Sequence, residues 1–592
     1  MDAVSTTDRR DDARYRALLA LRRSARRSGA QRLAAAAVRA GITHAFVVGG
    51  NPVDPIIGAC GKAGIRLIGA HHQGSACLMS LAFNYVSGAP RSIVIVSPGP
   101  AASNCMTAVL FAHDNNWPLL VIAGRYPSSA TRPGAFQDFD AGAFSEPLLR
   151  ARAAVSQPEH LEPAFERMLA ACHATKPGAV WIDVTREAVN GVPVAEAAKA
   201  SGQHAEVHTW TAPAPPAWSD ERLAGDVDAI ADQLVRAQRP VLLFGHDLRW
   251  SEPWPQLRRL VDTMRMPFAA TPLARGYLPQ THPLDVTMRR AAALANADLV
   301  LLVGARIDWT IRHGAEFPPG VPLIRIGRSA VGDSGVGIPG DEATVLSALI
   351  DAIDARRSSG QDWQRDEHWL EGLRSATDWG MNVNPPARDG PGAHASAANH
   401  PGGGGSPVMA TDDWLAELAD ALPDDAITVL DGNVTMTRAQ RRLAALSPVS
   451  RLTPGRNGTM GVGVSFAIGA QLARSDRPVV LITGDFAFAL SAVELETAVR
   501  HRVPIVVVVA NNRGAGGAMR QRSCLGDDYA EPVLKFGAGI RHDLLAESMG
   551  ARGMHVTVAG GLASAVREAL AAGQMTCIEL PVPDDELQIA TI

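Results

Sequence analysis

What this 592-residue chain lacks narrows its class before any motif is read. Its six cysteines (Cys60, Cys77, Cys105, Cys172, Cys524 and Cys577) include no C-x-x-C pair and no tight framework. That excludes a disulfide-stapled secreted scaffold and implies reduced, structural thiols in a cytoplasmic protein. No apolar run is long enough to span a bilayer, so no membrane partner is expected. Lysine and arginine (56) nearly balance aspartate and glutamate (60), and the net charge of −4 offers no field for nucleic acid or an acidic membrane. No short-period repeat is present, which excludes a solenoid. Residues 1–27 mix arginines with Asp2, Asp8, Asp11 and Asp12, acids that a secretory or mitochondrial leader lacks, so 1–29 is expected to be a solvated tail. Glutamate, finally, is missing until Glu146.

What is present is a succession of short apolar runs separated by amphipathic stretches. Runs at 44–48, 93–96, 119–123 and 179–183 are unbroken, as strands covered on both faces must be. A Pro-rich break at 212–218 precedes a second block with runs at 241–244, 298–303 and 323–326. A helical patch at 363–379 leads to 384–407, whose Pro385-Pro386 and Gly402–Gly405 offer too little apolar surface to offset the entropy of ordering. A third block has runs at 427–430, 479–482, 505–509 and 576–580. The expected fold is α/β with three doubly wound parallel-sheet domains, at 30–194, 219–355 and 408–592, with a linker at 356–407.

In the third block, the run 479–482 leads directly into Thr483-Gly484-Asp485, and the run 505–509 into Asn511-Asn512-Arg513-Gly514, with a helix between. In a parallel sheet Asp485 and Asn512 then stand at the carboxyl ends of two strands, where such folds bind ligands. A carboxylate, an amide oxygen and the Gly514 carbonyl are hard donors suited to magnesium shared with phosphate oxygens. Gly484 lets the backbone approach a diphosphate closely. Either half alone is an ordinary turn; the two together, each after a buried strand, point to a site.

The pattern Gly484-Asp485…Asn511-Asn512 resembles the thiamine diphosphate signature of the acetolactate synthase and decarboxylase superfamily. Similarity to its 2-hydroxyacyl-CoA lyase and oxalyl-CoA decarboxylase branch runs through Gly64–Gly69, Asn116–Leu120, Gly134–Gln137, Gly304–Trp309 and Gly458–Gly463. The resemblance implies pyrimidine-binding, central and diphosphate-binding domains, paired in a homodimer or a dimer of dimers. The implied cofactors are thiamine diphosphate and Mg2+, with Asp485, Asn512 and Gly514 as metal ligands. Asp431, Gly432 and Asn433 fall where the family wraps the diphosphate, with Gly458, Gly484, Phe486 and Ala487 also at the cofactor. Met460 matches the apolar wedge that bends it, though a lone Met is otherwise plain core. Gln137 matches a glutamine that reaches into the active site.

The resemblance breaks at the glutamate that normally activates the cofactor. A gapless alignment from Ile68-Gly69 to Tyr85 puts Gln73 there and also matches Ala76-Cys77; a one-residue shift puts His72 there. Gln73 can hydrogen-bond a ring nitrogen but has no proton to exchange, whereas His72 titrates near neutrality. His71-His72 is otherwise a turn ending a strand. Phe486 stands where the family has a small residue, the loop 513–517 lacks an aromatic, and the chain ends soon after its last run, where the acyl-CoA branch has a longer tail. The expected function is therefore a thiamine diphosphate-dependent carbon–carbon lyase, decarboxylase or carboligase for a small-molecule 2-oxo acid or 2-hydroxyacyl thioester. The alternative is a non-catalytic cofactor-binding homologue with a regulatory or assembly role.

Overall fold

The computed structural model describes residues 27–126, 136–137, 139–191, 220–328, 336–375, 413–515, 533–537 and 539–582. The expected tail up to residue 26, the segment 384–407, the loop beyond Ala515 and Cys524 lie outside them. The chain forms two compact units, 1–214 and 215–592.

The first unit opens at Ser28, whose hydroxyl accepts from Gln31 N while the Gln31 side chain accepts from Ser28 N, a reciprocal cap that starts the helix Gly29–Arg39. Its sheet contains β1 (His44–Val48), β2 (Arg66–Gly69), β3 (Ser92–Val96), β4 (Leu119–Gly124), β5 (Ala151–Val155) and β6 (Ala179–Val184), in the order β2-β1-β3-β4-β6-β5 and parallel throughout. Every residue of β3, β4 and β6 is buried. The helix Gln73–Ser87 is buried continuously from Gly74 to Val86, so it is covered on all sides rather than along one stripe. Tyr85 in that helix stacks on Trp117 with centroids 3.9 Å apart.

The second unit holds two parallel sheets. The central one has β7 (Pro240–Phe244), β8 (Phe268–Ala270), β9 (Leu299–Val303), β10 (Leu323–Ile326) and β11 (Val336–Ile338), in the order β11-β10-β9-β7-β8. Part of the stretch expected as linker belongs to this domain. Arg365 donates to the carbonyls of Met264, Ala237 and Leu234, and Trp369 and Leu373 of the helix Glu367–Ser375 pack on the sheet. A buried guanidinium that satisfies three carbonyls fixes 356–375 as structure, against the expectation of a linker there.

The last sheet has β12 (Ile427–Leu430), β13 (Arg451–Leu452), β14 (Val479–Gly484), β15 (Val506–Asn511), β16 (Arg552–His555) and β17 (Thr576–Pro581), ordered β13-β12-β14-β15-β17-β16. This is the strand order of the first sheet, position for position. Five of the six cysteines are described, and all five are free and buried. Among the described residues no helix is long and apolar enough to cross a membrane.

Candidate functional site

In the last sheet the chain leaves β12 towards one edge and β14 towards the other, so their carboxyl ends open a crevice of the kind where doubly wound sheets bind ligands. Asp431, directly after β12, is 1% exposed. Its carboxylate accepts from the backbone N–H of Gly432 (2.6 Å), Gly463 (2.7 Å) and Gly461 (3.3 Å), which ties the strand end to the turn carrying Gly458 and Met460. Burial pushes this carboxyl up to about 6, and the three N–H donors act in the opposite direction. Gly432 has φ +83, and a Cβ there would stand 3.4 Å from Gly484 N. Asn433 is exposed ahead of the helix Val434–Arg442 and its side chain makes no cap. Met460 is 42% exposed.

Asp485 opens the short helix Asp485–Ala489 after β14. One of its oxygens accepts from Gly514 N at 2.7 Å. The Asn512 amide faces the other oxygen at 3.0 Å and the Gly514 carbonyl at 2.9 Å. With the amide nitrogen turned inward, Asn512 donates to both. With its oxygen turned inward, that oxygen stands 3.0 Å from the Asp485 oxygen and 2.9 Å from the Gly514 carbonyl. Magnesium demands octahedral ligands at about 2.0–2.1 Å, which places neighbouring ligand atoms about 3 Å apart. The donor set therefore fits a small hard cation, with its remaining positions left for phosphate oxygens and water. Burial pushes the Asp485 carboxyl up to about 6, the direction that a bound cation reverses. At Gly514 (φ +148) a Cβ would stand 2.1 Å from the Leu534 carbonyl oxygen, so only glycine fits. Among the described residues no group of three or more His, Cys, Asp and Glu forms an alternative metal site.

Two residues behind this turn, Glu579 and His542, escaped the sequence reading. Asn511 Nδ2 donates to Glu579 at 2.6 Å, and the other Glu579 oxygen accepts from His542 N (3.0 Å) and faces His542 Nδ1 (2.8 Å). The signal was Glu579 itself, a lone charge inside the apolar run 576–580. Phe486, large where a small residue was expected, is accommodated by stacking on Phe536 at 5.6 Å and 4°. Ala487 is buried against the close approach of Gly432.

The first sheet carries the remaining expected residues, within its own unit. His72 caps the helix Gln73–Ser87, its Nδ1 accepting from Gly74 N at 3.1 Å. Gln73 Oε1 accepts from Asn104 Nδ2 at 2.9 Å. Asn104 was also missed, although its place in the turn after β3, next to the reversal at β1, marked it. Gln137 adopts φ +56 and lies against Gly99, where a Cβ would meet the Gln137 Cβ at 2.7 Å. The fourteen expected residues thus divide between a compact cluster in the second unit, with Asn433, Gly458 and Met460 at its rim, and Gln73, His72 and Gln137 in the first.

At the ends of β7 and β9 a further cavity of about 50 Å³ is lined by His246, Arg306, Asp308, Trp309 and Arg456 among others. Its charges are paired internally: both Arg306 Nε and Nη2 donate to Asp247 at 3.2 Å, and Arg456 Nε donates to Asp308 at 2.6 Å. Trp309 Nε1 donates to the Arg456 carbonyl at 2.7 Å.

Comparison with known proteins bears on all three sheets. Residues 27–144 match the model described as thiamine pyrophosphate enzyme, N-terminal TPP binding domain, residues 227–349 the central domain, and residues 432–580 the C-terminal TPP binding domain. A 2-hydroxyacyl-CoA lyase of Oryza sativa subsp. japonica is 28% identical over 555 residues, 91% of this chain and 93% of that protein. A probable acetolactate synthase of Mycobacterium bovis is 30% identical over 548 residues, 90% and 92% of the two chains. The 2-hydroxyacyl-CoA lyase 1 of Mus musculus is 30% identical over 498 residues, 82% and 81%.

Proposed function

We propose a site chemistry and a substrate class from the premise that this chain belongs to the thiamine pyrophosphate enzyme family and is a thiamine diphosphate-dependent lyase or carboligase. Its substrate is a small 2-oxo acid, and its cofactor is held through Mg2+ in a homodimer or a dimer of dimers. The observation that supports this reading is the convergence of the Asp485 carboxylate, the Asn512 amide and the Gly514 carbonyl at the crevice of the last sheet.

When bound, thiamine diphosphate supplies a nucleophilic carbon and an electron sink beside the carbonyl of the substrate. The chain's own residues do the rest. Asp485, Asn512 and the Gly514 carbonyl hold the ion that neutralises the diphosphate. Gly432 and Gly484 keep the two strand ends clear of side chains, so backbone can approach an anion closely. Asp431 holds the turn on which Met460 is carried. Gln73 binds and orients by hydrogen bonding and moves no proton.

The central cavity bears on the substrate. Arg306 is engaged by Asp247 and Arg456 by Asp308. The phosphates of a nucleotide would have to compete with those two carboxylates for the guanidinium groups. A second reading, a 2-hydroxyacyl thioester, is favoured by the relatives named 2-hydroxyacyl-CoA lyase. Titration calorimetry of CoA into the protein loaded with thiamine diphosphate and magnesium separates the two. No heat at millimolar CoA is expected; a micromolar dissociation constant would move the assignment to the thioester.

A further inference from the structure

The first unit presents a neutral amide where a proton-exchanging carboxyl is usual, and the structure shows what holds that amide. Gln73 is the first residue of the helix Gln73–Ser87, and its Oε1 accepts from Asn104 Nδ2 at 2.9 Å. Asn104 in turn is fixed from several sides. Its N–H donates to Pro100 O at 3.1 Å, in the turn that ends the short helix Pro100–Ser103. Its own carbonyl lies 3.0 Å from where a Cβ on Gly74 would stand, so glycine at 74 lets this turn settle onto the start of the helix. One helical turn further on, the buried Cys77 lies beside buried Cys105, the residue after Asn104, whose thiol donates to the Ala101 carbonyl at 3.6 Å. The 73–104 hydrogen bond and the buried 77–105 contact therefore join the same two segments.

An amide whose oxygen is turned towards Asn104 presents its NH2 group, with its two donors, on the other side. The pyrimidine ring of thiamine diphosphate carries nitrogens with exposed lone pairs, and an unprotonated ring nitrogen accepts hydrogen bonds but cannot donate them. We propose that Asn104 is a positioning residue that fixes the Gln73 amide so that its NH2 donates to the N1′ nitrogen of the cofactor's pyrimidine. The Gln73–Asn104 pair thereby selects the unprotonated ring. This rests on the cofactor assignment above and adds to it the direction of one hydrogen bond and the residue that sets it. The Nδ1 of His72 is taken up by the backbone N–H of Gly74, the cap of the same helix.

The substitution Asn104→Asp reverses the pair. A carboxylate at 104 only accepts, so Gln73 must turn its NH2 towards it and present its oxygen to the ring, oxygen against lone pair. Asn104→Ala removes the partner and lets the amide turn freely. The probes are thiamine diphosphate and two analogues in which either N1′ or N3′ of the pyrimidine is replaced by C–H, titrated by calorimetry with magnesium. In the native protein the N1′-replaced analogue should bind about tenfold more weakly than the cofactor, since a donor is left without an acceptor. In Asn104→Asp that preference should disappear or invert, and in Asn104→Ala it should shrink. The penalty for replacing N3′ should be the same in all three proteins. A purely structural role for Asn104 would weaken all three ligands alike, and that result, or an unchanged N1′ preference, overturns the proposal. Failure of the native protein to bind thiamine diphosphate at all would instead overturn the cofactor assignment.

Discussion

The first and last sheets share one strand order and one direction, yet their strand ends are built from different chemistry. At the ends of β12 and β14 the last sheet buries two carboxylates, Asp431 and Asp485, each 1% exposed and each accepting from backbone N–H groups of a neighbouring loop. At the corresponding ends of β1 and β3 the first sheet has glycines and amides. The carboxylate near β1, Asp54, is exposed and accepts from Gly50 N. Gly50, Gly99 and Gly124 sit where a Cβ would come within 2.9 Å of neighbouring loops. One sheet fixes its loops by charge and suits a cation; the other fixes them by close backbone contact and offers neutral donors. The topology is common to both, and the function lies in what the strand ends carry.

The sharpest way to break this contrast is to give the first sheet a carboxylate. Gln73→Glu places an ionisable proton at the pyrimidine-facing position, and general acid–base assistance of this kind is worth roughly 10²–10⁴-fold. Exchange of the cofactor's C2 proton, followed by quench-flow NMR, should be slow in the native protein and faster by about that factor in the variant. Equal rates in the two would assign activation to another group and end the distinction between a proton-exchanging and a hydrogen-bonding first sheet. Overall turnover need not rise with it, since burying a new charge in a site shaped for an amide is costly.

A smaller effect is expected from weakening the acidic side without touching a proposed ligand. Glu579→Leu leaves the buried donors of Asn511 and His542 without their acceptor, a loss of about 3 kcal/mol. Thermal denaturation should show the loss, and the magnesium-dependent stabilisation by cofactor should shrink with it because Asn511 adjoins Asn512. Destabilisation with unchanged cofactor binding would show that the turn is held by other contacts.

The central sheet supplies a control in His246, a buried titratable group that lines the cavity there. Burial lowers His246 from 6.5 to about 4. Between those values the unfolded chain takes up a proton that the folded one does not. His246 therefore costs stability as the pH falls from about 6.5 towards 4, up to about 3 kcal/mol in all. His246→Gln should flatten the acid side of the stability profile measured by denaturant unfolding, while leaving cofactor affinity at neutral pH unchanged. An unaltered acid limb would mean that His246 is charged in the folded protein.

How much of this was legible follows the burial of each strand. The eleven interior strands are mostly apolar runs, interrupted by single charges such as Asp183, Arg325 and Glu579, and each was visible as a run. The six edge strands are β2, β5, β8, β11, β13 and β16. An edge has less to cover it, so its sequence carries less of the pattern: β5 alternates buried and half-buried residues, and β16 is half-buried to exposed along its length. The proposed metal ligands Asp485 and Asn512 were legible because each directly follows an interior strand. Asn104, His542 and Glu579 were not, because each acts through a partner remote in sequence. Only the folded chain brings Asn104 to Gln73, 31 residues away, and Glu579 to Asn511, 68 away.

The most direct test of the central claim is calorimetric titration of thiamine diphosphate into the native protein and into Asp485→Ala, each with and without magnesium. The account predicts saturable binding in the native protein that requires the ion, and none in Asp485→Ala under any condition. A matching rise in melting temperature at excess ligand should appear in the native protein alone, about 2.7 kcal/mol at a hundred times the dissociation constant. Binding that persists without magnesium, or that survives the loss of Asp485, would contradict the assignment of the crevice between β12 and β14 as the cofactor's metal site.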